Sequence, residues 1–477
     1  MSSSTPTGHV AAIDLGATSG RVMLGSVGPN SLELHAVGRF PNQPVRTING
    51  LHWDLLALYR GAVDGLRAAV AEAPDVASIG VDSWAVDYAL LRDGRMLGTP
   101  FHYRDERTAA GVESVHAVTP FEALYRRNGL QFLPFNTVYQ LAAERDGGLL
   151  SLADQMLLVP DLIAYFLTGE AVAERTNAST TGLVDVITHA WDVELAERLQ
   201  LPASVLPRLV DPGERIGSTL GYVNDGIGAS SPIDVVAVGS HDTASAVVAV
   251  PMRAETAAYI SCGTWGLVGL ELEQPVLTDA ARQANFTNEG GVDSRVRFLH
   301  NVMGLWLLSE SIREWERSGE TVELADLLAA AASVTAPVAV FDANDPRFMA
   351  PGDMPARIAE WCREHDQPVP STQAEFARSI IESLAEAFGE AVRTAAELSG
   401  RTVETIHMVG GGALNELLCQ RTADRAGLPV LAGPVEATAI GNVLVQARAQ
   451  GFAGGDLESL RDLVATAFAP RRYDPKA

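Results

Sequence analysis

Apolar residues along the chain gather in short runs that stop at glycine, serine, threonine or aspartate. From Val10, VAAIDLGATSGRVMLGSV sets two apolar segments around a Gly/Thr/Ser turn, the pattern of a β-hairpin with a polar tip. AAYISCGTWGLVGLEL, residues 257–272, repeats it. Two such hairpins, each opening half of the chain, predict an internal duplication with a nucleotide between the halves, because two polar turns can face one phosphate chain. SIGVDSWAVDYALLRDGRML, residues 78–97, alternates and turns at Asp93-Gly94, a hairpin signal. Asp82, Trp84 and Asp87 fall there at even and odd offsets, so at least one points inward or into a cleft.

VVAVGSHDTASAVVAV, residues 235–250, reads as strand, turn and helix with Asp242 at the junction. Asp242 is either the N-cap of a helix starting at Thr243 or a general base at the carboxyl end of a strand, where open sheets place their ligands; the cap is the commoner use. Further on, NVMGLWLLSESIREW predicts a helix over residues 301–315. Thr372 and Glu375 form a capping box that opens a helix through Leu398. TIHMVGGGALNELLCQRTADRAGLPV, residues 405–430, reads as strand, glycine turn, helix, strand, with a tight turn at Gly410, Gly411 and Gly412.

At 477 residues the chain predicts two or three domains. A net charge of −24 argues against nucleic acid or an anionic membrane as partner, since both need Lys/Arg surfaces. Lys476 is the one lysine, which disfavours Schiff-base chemistry and a Walker P-loop. The three cysteines, Cys262, Cys362 and Cys419, show no metal or disulfide spacing and fit a reduced, cytoplasmic setting. No apolar run reaches the ~18 residues of a membrane span, and residues 1–9 read as a loose tail.

Glycine turns with an isolated carboxylate are the parts of phosphoryl transfer without a P-loop: amides hold phosphates, one acid holds Mg²⁺ and another orients the acceptor. Asp14 is either an ordinary strand-end aspartate or a Mg²⁺ ligand acting through water. The triple glycine could equally serve only close helix–strand packing. His241 as a turn residue, and Trp84 and Trp265 as core, are the defaults.

IDLGATSGR, GVDSWAVDY, YRDERT, GLQFLPFNTVYQL, DLIAYFLTG, TNASTTGLV, SHDTASAV, SCGTWGLVG, NEGG, NVMGLWLL, VGGGALN and AGPVEATAIGN stand in the order seen in the FGGY family of carbohydrate kinases, and the chain resembles its L-rhamnulose-acting branch. That resemblance implies an α/β chain of two actin-like (ribonuclease H-like) domains, residues 10–248 and 249–477, with a nucleotide/sugar cleft between them. It implies ATP and Mg²⁺, a small-molecule sugar, a monomer or homodimer, and phosphorylation of the 1-hydroxyl of L-rhamnulose. On this chain Asp242 would be the proton acceptor and Asp14 the Mg²⁺ residue. Ala17, Thr18, Ser19, Gly20, Arg21, Gly263, Thr264, Gly411, Gly412 and Asn415 would meet ATP. Ala85, His241, Asp242, Thr243 and Asn301 would meet the sugar. Ala85 replaces a glycine common in the family, which adds a methyl to the pocket. The rivals are a family kinase for fuculose, xylulose or glycerol, and a non-catalytic actin-like sensor.

Overall fold

The computed structural model describes residues 7–476 and divides them into two compact units. The first comprises residues 7–251, Leu272–Phe298 and Ala437–Ala467; the second comprises Met252–Glu271, Leu299–Glu436 and residues 468–476. The units are therefore interleaved in sequence. Of the expected loose tail, residues 1–6 lie outside the described residues, and Gly8 and His9 begin a strand.

The sheet of the first unit is built from β1 (Gly8–Leu15), β2 (Ser19–Gly28), β3 (Ser31–Pro41), β4 (Val76–Ser83), β5 (Arg215–Ser218) and β6 (Asp234–Val236), in the order β5-β6-β4-β1-β2-β3. The expected hairpin is β1 with β2, antiparallel. β1 and β6 both run parallel to β4. β1 is buried along nearly its whole length, which explains why its sequence is continuously apolar instead of alternating. Helix α1 (Leu55–Glu72) starts at Asp54, whose carboxylate accepts from Ala57 N at 3.1 Å. It packs on β2 and β3 at Gly65, where a Cβ would come 2.7 Å from Val22 Cβ.

Residues 78–97 do not form one hairpin. Residues 78–83 belong to β4, and the turn joins Tyr88–Arg92 to Arg95–Met96 in a separate three-stranded sheet. The turn itself falls where expected, with positive φ at Asp93 (49°) and Gly94 (73°), as a tight right-twisted hairpin requires. Helix α2 (Asp242–Val248) follows β6 after a five-residue extended segment, residues 237–241.

In the second unit β7 (Ala257–Cys262) and β8 (Trp265–Leu272) form the second expected hairpin. β9 (Thr405–Val409) pairs parallel to β7, and β10 (Val430–Ala432) parallel to β9, with β11 (Arg471–Tyr473) antiparallel at the edge. Helix α3 (Gln373–Ser399) carries the capping box of Thr372 with Glu375 and ends at Gly400, φ 67°. Helix α4 (Glu416–Ala426) completes the βαβ unit between β9 and β10. Helix α5 (Ala437–Ala449) then returns to the first unit and packs on β1 and α2. Each unit thus places a hairpin beside a parallel strand, β2-β1-β4 and β8-β7-β9, the duplication expected from the two hairpins.

The expected helix over residues 301–315 is shorter: Asn301, Val302 and Met303 finish the strand Val296–Met303, and the helix is Trp306–Arg317. The break lies at Gly304, whose Cβ position would be 2.5 Å from Trp265 C and 2.7 Å from Gly266 N. Backbone packed that closely leaves no room for a helical turn with a side chain.

Candidate active site

Three aspartates meet in the first unit because each ends, or follows, one of three neighbouring parallel strands. Asp14 on β1 stands opposite Asp82 on β4. Beyond β6, Ser83 forms a parallel bridge to His241 and its N–H donates to Ser240 O at 2.9 Å, which brings Asp242 to the same edge. The carboxyl end of a parallel sheet is where such folds take ligands.

Asp14 is buried, and its Oδ2 accepts from Arg21 Nε at 2.8 Å and lies 2.7 Å from Nη2. Arg21 is its direct partner across the hairpin, so this expected phosphate-turn residue is turned toward a carboxylate. Ala17, Thr18 and Ser19 form the more open tip of the turn, and Gly20 is buried. Asn42 fixes the tip, its Nδ2 donating to Gly16 O at 2.8 Å and its N to Thr18 O at 3.0 Å. At the corresponding place in the second unit, next to last in β7, stands Ser261, so the acid is a feature of the first hairpin alone.

Asp82 is fully buried. Its Oδ2 accepts from Asn442 Nδ2 at 2.6 Å, while its Oδ1 has no hydrogen-bond partner. Burial first, then the charge of Asp14, pushes its pKa well above the carboxylate range, against the Asn442 hydrogen bond. Asn442 cannot turn its amide around: its Oδ1 accepts from Gln446 Nε2 at 2.6 Å, and Gln446 Nε2 is itself fixed by donating to Ala11 O at 3.1 Å, a carbonyl that can only accept. Gln446 Oε1 accepts from Ser78 Oγ at 2.8 Å.

Asp242 is not the cap of its helix. His241 O accepts from Ala244 N (2.7 Å) and Ser245 N (3.2 Å), so His241 is the N-cap residue and Asp242 the first helical one, with no side-chain cap bond. The carboxylate is thereby released from the backbone. It is about a third exposed, and its Oδ1 accepts from Thr243 Oγ1 at 3.1 Å and lies 3.3 Å from His241 Nε2. His241 is buried, with Nδ1 3.0 Å from Arg297 Nη2 and 3.3 Å from Glu289 Oε2. Burial raises the Glu289 carboxyl, but the charge of Arg297 outweighs it and holds it below the usual range. The segment before His241 is anchored by buried Glu174, which accepts from Ser240 N (2.9 Å) and Ser240 Oγ (2.8 Å).

Asp82, Trp84 and Asp87 are all buried, where at least one was expected to be. Asp87 Oδ2 accepts from Trp53 Nε1 (2.6 Å), Trp84 Nε1 (3.1 Å) and Tyr103 N (3.1 Å), which fixes the wall on either side of Ala85. The next residue, Val86, has φ 66°, a region a β-branched residue enters only under constraint. Thr137 Oγ1 holds it by donating to Val86 O at 2.7 Å. His102 stacks on Trp53 at 4.1 Å, and burial, then the Arg104 charge, lower its pKa to about 3.

That shift has a definite sign. As pH falls through 6.5, the unfolded chain takes up a proton that folded His102 refuses until about 3, so stability present above 6.5 is lost on acidification. His102→Gln is expected to lose less stability than the parent between pH 7 and pH 5 in urea titrations, the difference approaching about 1.4 kcal/mol per pH unit. Identical pH dependences would overturn it.

In the second unit the β7–β8 turn and the glycine turn after β9 come together. Gly412 is buried against Cys262, where a Cβ would lie 2.5 Å from Cys262 Cβ, and Gly410 has φ 82°. Close packing therefore accounts for these two glycines. Gly411 and Gly263 are exposed, with open space where a side chain would point. Asn415 caps α4, its Oδ1 accepting from Leu418 N at 3.0 Å. Thr264 O accepts from Trp306 N at 3.2 Å, and Asn301 lies on its strand in the same unit.

Among the described residues no group of three or more His, Cys, Asp or Glu side chains is placed to hold a metal ion. Mg²⁺ takes one or two carboxylates and completes its shell with water and substrate phosphates. The orphaned Asp82 Oδ1 beside Asp14 is an oxygen such a shell can satisfy.

Arg297, Glu289, Glu174, Asn442 and Gln446 were not foreseen as site residues. Their signal was a charged or amide residue inside an apolar segment, such as VRFL or AIGNVLVQ, which asks for a buried partner.

The pattern described as FGGY family of carbohydrate kinases, N-terminal domain, matches residues 9–249, and that family's C-terminal domain matches residues 258–450. The chain is 43% identical over 476 residues to a rhamnulokinase of Pectobacterium carotovorum, covering 98% of this chain and 93% of that one. It is 40% identical over 470 residues to a rhamnulokinase of Bacteroides thetaiotaomicron, covering 98% and 95%. Its fold is that of a gluconate kinase from Lactobacillus acidophilus, with TM-score 0.80 at 18% identity, covering 99% of this chain and 94% of that one. The chain belongs to the FGGY family of carbohydrate kinases.

Proposed function

We propose that the chain transfers the γ-phosphate of ATP to the 1-hydroxyl of L-rhamnulose, giving L-rhamnulose 1-phosphate and ADP. The observation that carries the chemistry is the Asp242 carboxylate, partly open and freed from capping, at one edge with Asp14 and Asp82. The rhamnulokinases similar to the whole chain support the choice of sugar.

Asp242 takes the proton of the acceptor hydroxyl as that oxygen approaches phosphorus in line. His241 and Thr243, which flank it, and Ala85 on the fixed Trp84–Asp87 wall hold the sugar, together with Asn301. The exposed tip Ala17–Ser19, with Gly20, and the turn of Gly263 and Thr264 offer backbone N–H groups to phosphate; Arg21 acts there by holding Asp14. Gly411 leaves room for the nucleoside, with Gly412 and Asn415 shaping the backbone around it. Asp14, with Asp82 behind it, would hold Mg²⁺ through water; when bound, the ion supplies neutralisation of phosphate charge. No helix among the described residues is long and apolar enough to cross a membrane, and the three cysteines are free and buried, which suits a cytoplasmic catabolic enzyme.

The test is ADP release by purified protein with Mg-ATP over L-rhamnulose, L-fuculose, D-xylulose and glycerol. L-rhamnulose is expected to give the highest kcat/KM, at least tenfold over the others, since a misfitted group costs about 1–3 kcal/mol. Turnover on another sugar with none on L-rhamnulose would move the substrate within the family; no turnover on any would overturn the reading.

A further inference from the structure

A guanidinium carries donors and no acceptor. Arg297 Nη2 lies 3.0 Å from His241 Nδ1, so that nitrogen has to present its lone pair. A neutral imidazole accepting at Nδ1 carries its hydrogen at Nε2, and Nε2 lies 3.3 Å from Asp242 Oδ1. We infer that Arg297 is a positioning residue that fixes His241 as the Nε2–H tautomer and thereby commits Asp242 Oδ1 to a hydrogen bond, leaving Oδ2 to meet the acceptor hydroxyl.

Thr243 Oγ1 donates to the same Oδ1 at 3.1 Å, the oxygen that His241 Nε2 approaches to 3.3 Å. A neutral imidazole can orient a carboxylate without giving it a proton, which a base must be free to take from the substrate. Glu289 is the competitor: a hydrogen on Nδ1 would find its Oε2 at 3.3 Å. Arg297 is nearer to Nδ1, and it occupies Glu289 itself through an ion pair at 3.1 Å. Arg297 is fully buried, and its Nε donates to Gly290 O at 2.9 Å, so the guanidinium is held from two sides and its charge is matched by Glu289. The device sits on the sequence NEGG and the strand that follows it.

The role in catalysis rests on Asp242 being the proton acceptor; the tautomer does not. The test is long-range ¹H–¹⁵N correlation on the full chain labelled at histidine, with His241 assigned by its loss in His241→Gln. The expected spectrum has a pyrrole-type Nε2 and a pyridine-type Nδ1. A pyrrole-type Nδ1, from the other tautomer or an imidazolium, overturns the inference. Arg297→Met combined with Glu289→Gln, which leaves no buried charge unpaired, is expected to lower kcat about tenfold or more with KM for ATP within about twofold. Arg297→Lys, which keeps a donor, should recover part of that loss. If the tautomer is as expected but these variants keep wild-type kcat, the positioning role falls. If Asp242→Asn also keeps wild-type kcat, the acceptor assignment falls with it.

Discussion

Asp242→Asn is expected to lower kcat on the best sugar by about a hundredfold or more, with little change in KM for ATP. The substitution keeps the shape of the side chain, and an amide oxygen can still accept from Thr243 Oγ1 and face His241 Nε2. What it removes is the capacity to take a proton as the hydroxyl attacks. Because the Asp242 side chain makes no cap bond to its helix, the variant should melt within about 1–2 °C of the parent. Steady-state kinetics beside a thermal melt separate the two effects. Wild-type kcat in a folded variant would rule out Asp242 as the proton acceptor.

Gly441→Ala should be the most destabilising single methyl in the first unit. Helices α2 and α5 approach so closely at this point that a Cβ on Gly441 would overlap Ser245 O and lie 2.6 Å from Ser245 C. The obstacle is backbone, so no rotamer change relieves it; α5 has to move away from α2. Overpacking of this kind costs about 3 kcal/mol or more, a fall of several degrees in Tm. Since α2 begins with Asp242 and α5 carries Asn442, kcat should fall as well. Calorimetry within about 1 °C of the parent would show that the helices separate more easily than this packing implies. Gly400→Ala, in open space at the end of α3, is the control: it should lose about 1 kcal/mol for its positive φ and leave kcat unchanged.

How much of this was legible in the sequence depends on the range of the interaction. The two hairpins, the Asp93-Gly94 turn, the Thr372–Glu375 capping box and the strand–glycine–helix–strand run are patterns completed within a few residues. All of them form. Asn301 was placed on a helix because the apolar spacing continued through Gly304, and only the backbone of Trp265 and Gly266, distant in sequence, stops it there. Asp242 looked like a cap because one residue of register decides between cap and first helical position, and the carbonyl of His241 decides it. Asp82 was visible as a polar residue in an apolar strand, but its amide partner lies on α5. Glu289 stood within a quoted motif with no role, because its meaning comes from Arg297 and His241 together. The interleaving of the units was invisible for the same reason: nothing local marks α5 as belonging with β1.

The amide ladder from Ser78 through Gln446 and Asn442 to Asp82 also sets a schedule for biosynthesis. Asn442 follows Asp82 by 360 residues. At about 5–20 residues per second, it leaves the ribosome on the order of 20 to 70 s later. Throughout that interval the nascent first unit holds its aspartates without the amide that orders Asp82 and without the helix that packs on α2. A growing chain therefore completes the edge that carries Asp14, Asp82 and Asp242 only after α5 has been made.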